Sequence, residues 1–191
     1  MMMTRRSWLI GAGILPVAAG NMAAQGKRKR LFTGGTLQGW TAVGGQWKAA
    51  GGAIVCEGGD SSWLRYDGAT FTNFVLELEF RTAADGNSGV FIRSAKEGRP
   101  WESGYEVQIF DQHPKYPTGS FVNDILATGG KIRGGQWQKM AIRAEAEHFR
   151  VSIDGKQVLD GTAKKSATGY LALQYNKGKK IEFRRIRIQT L

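Results

Sequence analysis

The chain has 191 residues, 41% of them apolar and 23% charged, which is enough for one globular domain with its own core and too apolar for a disordered chain. Its one cysteine, Cys56 in "AIVCEG", excludes an intramolecular disulfide or a cysteine-rich metal site, so the fold stands on packing, with Cys56 as a small buried hydrophobe. The formal net charge of +11 raises nucleic acid as a partner, but the cations alternate along strand-like segments instead of forming one patch interleaved with aromatics, which argues against that class and for a solvated or envelope-facing basic surface.

The first segment, "TRRSWLIGAGILPVAAGNMAAQG", joins Arg5 and Arg6 to an apolar run from Trp8 to Ala19 and then to small residues. That order resembles a twin-arginine export signal spanning residues 1–24, with cleavage near Ala23 or Ala24. The run is too short for a comfortable membrane span and no second candidate follows, so no span is expected after cleavage. Export would place the protein in the periplasm or outside the cell, and removal of Arg5 and Arg6 would leave a charge of 11 minus 2, or +9. Residues 25–30, with "KRKR" at 27–30, read as a basic linker, and the domain proper as 31–191.

Beyond the linker, glycine is abundant (27) and proline scarce (4), and short alternating segments are separated by Gly, Asp and Asn turns. This is the pattern of an all-β sandwich or barrel. "FVLELEFR" sets Phe74, Leu76, Leu78 and Phe80 against Val75, Glu77, Glu79 and Arg81. "NSGVFIRSAKEGRPWESGYEVQIFDQ" follows, with Ser88, Val90, Ile92, Val107 and Ile109 on the inward face and Asn87, Phe91, Arg93, Glu106, Gln108 and Phe110 opposite. On adjacent strands Arg93 would pair with Glu106 beside exposed rings and the Gln108 amide, as sugar recognition requires; a plain surface cross-strand ion pair fits the same spacing. The enzymatic expectation depends on that guanidinium and carboxylate projecting together over one hollowed surface.

Further on, "HFRVSIDGKQVLDG" predicts a hairpin turning at Asp154-Gly155. "GYLALQYNKG" sets Leu171, Leu173 and Tyr175 against Tyr170, Ala172, Gln174 and Asn176. "KKIEFRRIRIQTL" shifts phase between Phe183 and Ile186, which predicts a bulge near Arg184 and Arg185. Eleven or twelve strands are too many for one flat sheet, so two packed antiparallel sheets are expected. His113 and His148 stand apart, giving little support to a two-histidine metal site. "DGNSG" leaves open a divalent cation, calcium, on Asp85 and Asn87, although a polar turn explains it with fewer assumptions, and no cofactor is required. No GxSxG, Walker or HExxH pattern occurs, so serine hydrolase, nucleotide and metalloprotease classes lose their main support.

Seven blocks occur in order: "LFTGGTLQGW", "FVLELEFR", "NSGVFIR", "GYEVQIFD", "TGSF", "GGQWQKMAI" and "GYLALQYNKGKKIEFRRIRIQTL". Together they make the chain similar to the 3-keto-disaccharide hydrolase family. The resemblance implies a concanavalin A-like jelly roll whose concave face binds saccharide, and cleavage of glycosides already oxidised at carbon 3 of a glucose unit, by hydrolysis or by elimination and hydration. It implies Glu106 as the catalytic base and Arg93 as the enolate or carboxylate-orienting partner, with Asn87, Phe91, Trp101, Gln108, Asp111, Gln174 and Asn176 as substrate-binding groups. The chain departs from the family where an Asp-His-Gly turn often follows the "LQ" of the penultimate strand: Tyr175, Asn176, Lys177 and Gly178 stand here. A noncatalytic carbohydrate-binding module of the envelope is the second reading.

Overall fold

A computed structural model describes residues 26–191, and the export signal expected over 1–24 lies outside them. The described chain forms β1 (Lys29–Arg30), β2 (Trp40–Val43), β3 (Trp47–Ala50), β4 (Ala53–Cys56), β5 (Ser62–Phe71), β6 (Phe74–Thr82) and β7 (Ser88–Ser94). A short helix α1 (Pro100–Ser103) precedes β8 (Tyr105–Ile109), β9 (Gln138–Glu145), β10 (His148–Ile153), β11 (Lys156–Thr162), β12 (Gly169–Tyr175) and β13 (Ile181–Thr190). Every pairing is antiparallel. One sheet runs β11-β10-β9-β6-β13-β4-β3, with β1 added to β13, and the other runs β2-β5-β12-β7-β8. This is the all-β, two-sheet jelly roll expected from the sequence.

Alternation decides what lies between the sheets. Phe74, Leu76, Leu78 and Phe80 of β6 are buried with Met140, Ile142, Phe149 and Val151 of its neighbours. They meet Leu64, Val90, Ile92, Val107, Leu171 and Leu173 from the smaller sheet. Cys56 is free and buried among them. Burying about this many large apolar side chains, at roughly 1.5–3 kcal/mol each before the cost of chain entropy, is what holds a domain without disulfides together.

The local expectations for turns hold. Asp154 and Gly155 take φ of 51° and 83° between β10 and β11, the positive angles of a two-residue hairpin turn. In β13 the register against β6 slips between Arg184 and Arg187, with Arg185 at φ 53°, so the extra residue returns Ile186 and Ile188 to the core. Lys29 and Arg30, read as linker, instead pair with Ile188 and Arg187. A two-residue strand has too little alternation to show in a sequence.

A second bulge corrects an expectation about the site. Between the pairs Tyr170–Ser94 and Ala172–Phe91, β7 carries one residue more than β12, and Arg93 there adopts φ 52°. The extra residue reverses the alternation, so Arg93 does not join Phe91 on the outer face. It is 1% exposed and runs beneath the end of the sandwich, its guanidinium 4.9 Å from the Phe149 ring centre. Nε donates to the carbonyl of Thr72 at 2.9 Å, Nη1 to those of Ala146 at 2.6 Å and Ser166 at 3.3 Å, and Nη2 also to Thr72. One side chain thus ties the β5–β6 turn, the β9–β10 turn and the approach to β12.

Arg93→Met keeps much of the apolar stem and removes every one of these donors. It is expected to cost about 3 kcal/mol or more, because buried carbonyls lose their partners. Urea denaturation monitored by tryptophan fluorescence checks this, and a loss below about 1 kcal/mol would show the clamp to be dispensable.

Candidate functional site

The outer face of the smaller sheet is built by register. Phe91 of β7 stands opposite Glu106 of β8 on one side and Ala172 of β12 on the other, and Arg65 of β5 follows opposite Ala172. In the next row Trp63 is opposite Gln174, and Gly89 is opposite Gln108. Helix α1, opened by Pro100, lays Trp101 over this surface, 6.0 Å from the Phe91 ring and 5.8 Å, edge to face, from Trp63. The result is a hollow of about 280 Å³ lined by Ser61, Ser62, Trp63, Trp101, Glu106, Gln174, Tyr175 and Asn176.

Glu106 forms its acidic floor and is 9% exposed. Room for it comes from Gly89: a Cβ there would lie 2.8 Å from Glu106 Oε1 and 3.1 Å from its Cγ. Gln174 Nε2 donates to Glu106 Oε1 at 2.8 Å. Burial pushes the carboxyl up to about 7, against the lowering pull of that hydrogen bond and of the Lys165 charge. The side-chain oxygens of Gln108 and Gln174 are buried with no partner in the protein. In the hollow itself, a carboxyl with its pKa near neutrality, the unpartnered Gln174 oxygen and two indoles suit a ligand with hydroxyl donors and a flat C–H face.

Of the residues expected from the sequence, the structure brings together Glu106, Trp101, Gln174 and Asn176, with Phe91 beneath Trp101 as a fully buried support and not an exposed ring. Asn176 accepts a hydrogen bond from Ser61 Oγ at 2.7 Å, where the family's histidine turn would stand. Gln108 lies on the same face, buried beyond the hollow's lining. Three assignments are corrected. Arg93 is in the core, so it neither pairs with Glu106 nor faces the hollow, and the paired cation and carboxylate on which the enzymatic expectation depended does not exist. Asp111 does not line the hollow: Thr118 Oγ1 donates to it at 2.5 Å and the Ile132 amide at 2.8 Å, so it braces its own loop. Asn87 is half-buried just ahead of β7 and does not line the hollow.

Trp63, Ser61, Ser62 and Tyr175 complete the lining and were not among the expected residues. The alternation of Trp63 and Arg65 against Leu64 and Tyr66 in "SSWLRYDG" carries the same signal as β6 and identifies Trp63 as outward. A divalent cation fits poorly: Glu106 is the one carboxylate of the lining, and among the described residues no three His, Cys, Asp or Glu side chains converge. Larger depressions of about 470 and 740 Å³ belong to the other sheet and its loops; the first is lined by arginines, Lys139, Glu77 and Glu79 among others, and the second by small residues beside Arg81, Lys179, Lys180 and Glu182.

Residues 27–189 match the family model described as "3-keto-alpha-glucoside-1,2-lyase-like domain". The chain belongs to this family. Comparison with curated proteins finds no match. Among solved structures, a candidate glycosyl hydrolase from Parabacteroides distasonis superposes with TM-score 0.73 at 23% identity, over 86% of this chain and 100% of that one. The carbohydrate-binding module CBM66 from Bacillus subtilis gives TM-score 0.63 at 19% identity over 78% and 94%. The family GH16 endo-beta-1,3(4)-glucanase SCLam gives 0.58 at 12% over 92% and 94%. These likenesses establish the sandwich shared by glycosidases and sugar-binding modules. No helix among the described residues is long and apolar enough to cross a membrane.

The raised Glu106 carboxyl has a consequence for stability. Its folded value of about 7 exceeds the ordinary 4.5, so its contribution to stability is complete below about pH 4.5 and is lost as pH rises through about 7. Glu106→Gln removes the ionisation. Relative to wild type, the variant is expected to gain about 2–3 kcal/mol between about pH 4 and pH 9, read from denaturation midpoints at both ends. A stability difference independent of pH would show that Glu106 titrates as an ordinary exposed carboxylate.

Proposed function

We propose that the hollow binds a glucoside carrying a ketone at carbon 3, and that Glu106 is the base of a 1,2-elimination that releases the glycosidic oxygen. The observation that carries this reading is the one carboxyl of the hollow, buried and with its pKa brought near neutrality beneath Trp101 and beside Gln174. A two-carboxylate glycosidase mechanism needs a second acid across the bond, and none lines the hollow. A 3-keto sugar needs less, because the ketone acidifies the proton on carbon 2.

Ionised Glu106 would take that proton. The C2–H electron pair would form the C1=C2 double bond, conjugated with the ketone, as the C1–O bond breaks. The proton held on Glu106 would then be available to the departing oxygen. With Arg93 withdrawn, the groups left to stabilise the developing enolate oxygen are neutral: the amides of Gln174 and Asn176 and the hydroxyls of Ser61 and Ser62. Trp63 and Trp101 would stack on the C–H face of the ring. The leader pattern at Arg5 and Arg6 supports action outside the cytoplasm. The family match and the carbohydrate-associated neighbours support the substrate class, and the same neighbours keep a binding module as the second reading, favoured by the loss of the cation–carboxylate pair.

Incubation of the purified mature protein with a 3-keto-disaccharide is expected to release the free leaving sugar. kcat/KM is expected to rise with pH through an apparent pKa near about 7 and to fall by roughly 10²–10⁴-fold in Glu106→Gln. Trp101→Ala is expected to raise KM more than it lowers kcat. Saccharide binding without turnover would replace the lyase reading with the binding module, and full turnover by Glu106→Gln would remove Glu106 from the chemistry.

A further inference from the structure

The outer face of the larger sheet holds a second depression, of about 230 Å³, lined by Arg30, Phe32, Thr33, Gly34, Gly52, Arg185 and Arg187. Its charges are unbalanced by register. Arg30 of β1 and Arg187 of β13 are directly paired across the strands, and like charges so placed repel. On its other side Arg187 is paired in register with Glu77 of β6, but the Glu77 carboxylate turns to Arg28, at 3.3 Å. Arg185 shares Glu79 with Arg184, at 2.8 and 2.7 Å. Five arginines, at 28, 30, 184, 185 and 187, thus share two carboxylates. Arg187 Nε is buried without a partner, and neither Arg30 nor Arg187 has an ion pair among the described residues.

The bulge that restores Ile186 and Ile188 to the core also gathers Arg184, Arg185 and Arg187 toward the same outer side. The rim is completed by two glycine turns, at φ 100° for Gly34 and 76° for Gly52. A guanidinium with a buried, unsatisfied N–H, facing a second unpaired guanidinium, is a fork for an oxyanion. We propose that Arg30, Arg185 and Arg187 form a binding site for a tetrahedral oxyanion, a phosphate or sulfate group, on the sheet opposite the Glu106 hollow. Such a site would hold an esterified sugar of an anionic glycan, or the free ion, apart from any chemistry in the hollow.

Thermal unfolding of the full chain at low ionic strength, with inorganic phosphate compared against matched chloride, tests this. Phosphate well above its Kd is expected to raise Tm by about 2–4 °C. Arg187→Gln and the more exposed Arg30→Gln are each expected to lose most of that increment, while in chloride their Tm is unchanged or higher because the Arg30–Arg187 repulsion is relieved. Glucose 6-phosphate acting at lower concentration than inorganic phosphate would assign the site to a sugar-borne ester, and the reverse order to the free ion. An absent phosphate response, or one retained in the Arg30→Gln, Arg187→Gln double variant, would overturn the site. Saccharide turnover at Glu106 is unaffected by either result.

Discussion

One additional residue in β7 sets both the integrity of the sandwich and the electrostatics of the face that carries the Glu106 hollow. Had strict alternation continued, Arg93 would have followed Phe91 outward and its charge would have lain on the face that carries Glu106. The bulge turns it inward, where burial lowers its pKa but leaves it charged, as arginine's starting value guarantees. A buried cation without a carboxylate is costly. Here the carbonyls of Thr72, Ala146 and Ser166 take that role, so the positive charge is held by backbone dipoles from three turns. The same withdrawal leaves Glu106 with only the Gln174 amide and the more distant Lys165 charge to favour its anion, and burial prevails.

The two outer faces have divided along these lines. The larger sheet carries ion pairs such as Arg81 with Glu182, at 2.6 Å, and Trp137 packed against the guanidinium groups of Arg81 and Arg184, at 4.6 and 4.0 Å. Partly exposed pairs of this kind contribute little individually to stability, but they keep that face hydrated and crowded. Around its hollow the smaller sheet instead presents indoles, amides and hydroxyls about one carboxyl, with the Arg65–Asp67 ion pair outside that lining. Its hollow is therefore less screened, and each polar contact made there counts for more than on the opposite face.

Much of the fold was legible because period-two patterns are strong where one face is buried. β6, the Asp154-Gly155 hairpin and the slip at Arg184–Arg185 can all be read from side-chain type alone, and so can Glu106, Gln174 and Asn176 as outward residues. What the pattern could not carry is a bulge without a hydrophobic phase shift to reveal it. In β13 the slip moves Ile186 and Ile188 and is visible. In β7 it falls on Ile92-Arg93-Ser94, where only Arg93 and Ser94 change side, and a polar residue gives no sign of its direction. Asp111 was misplaced for a related reason: whether a loop carboxylate faces a ligand or braces its own loop depends on Thr118 and the Ile132 amide, contacts that no spacing rule foretells.

Gly89 sharpens the distinction between a surface that merely holds sugar and one built around an acid. A binding platform needs aromatic rings and hydrogen-bonding rims, which Trp63, Trp101 and Asn176 supply; it has no need of a carboxyl buried at the expense of stability near neutral pH. Here β7 omits a side chain at a position where a Cβ would press on Glu106, and a nearby strand supplies Gln174 to orient it. A residue kept where its ionised form is disfavoured, with its neighbours shaped to admit it, is the feature on which the proposed lyase reading rests in preference to the binding module. In the proposed elimination that strain is useful, because a desolvated carboxylate is a stronger base toward the carbon 2 proton than one dissolved in water.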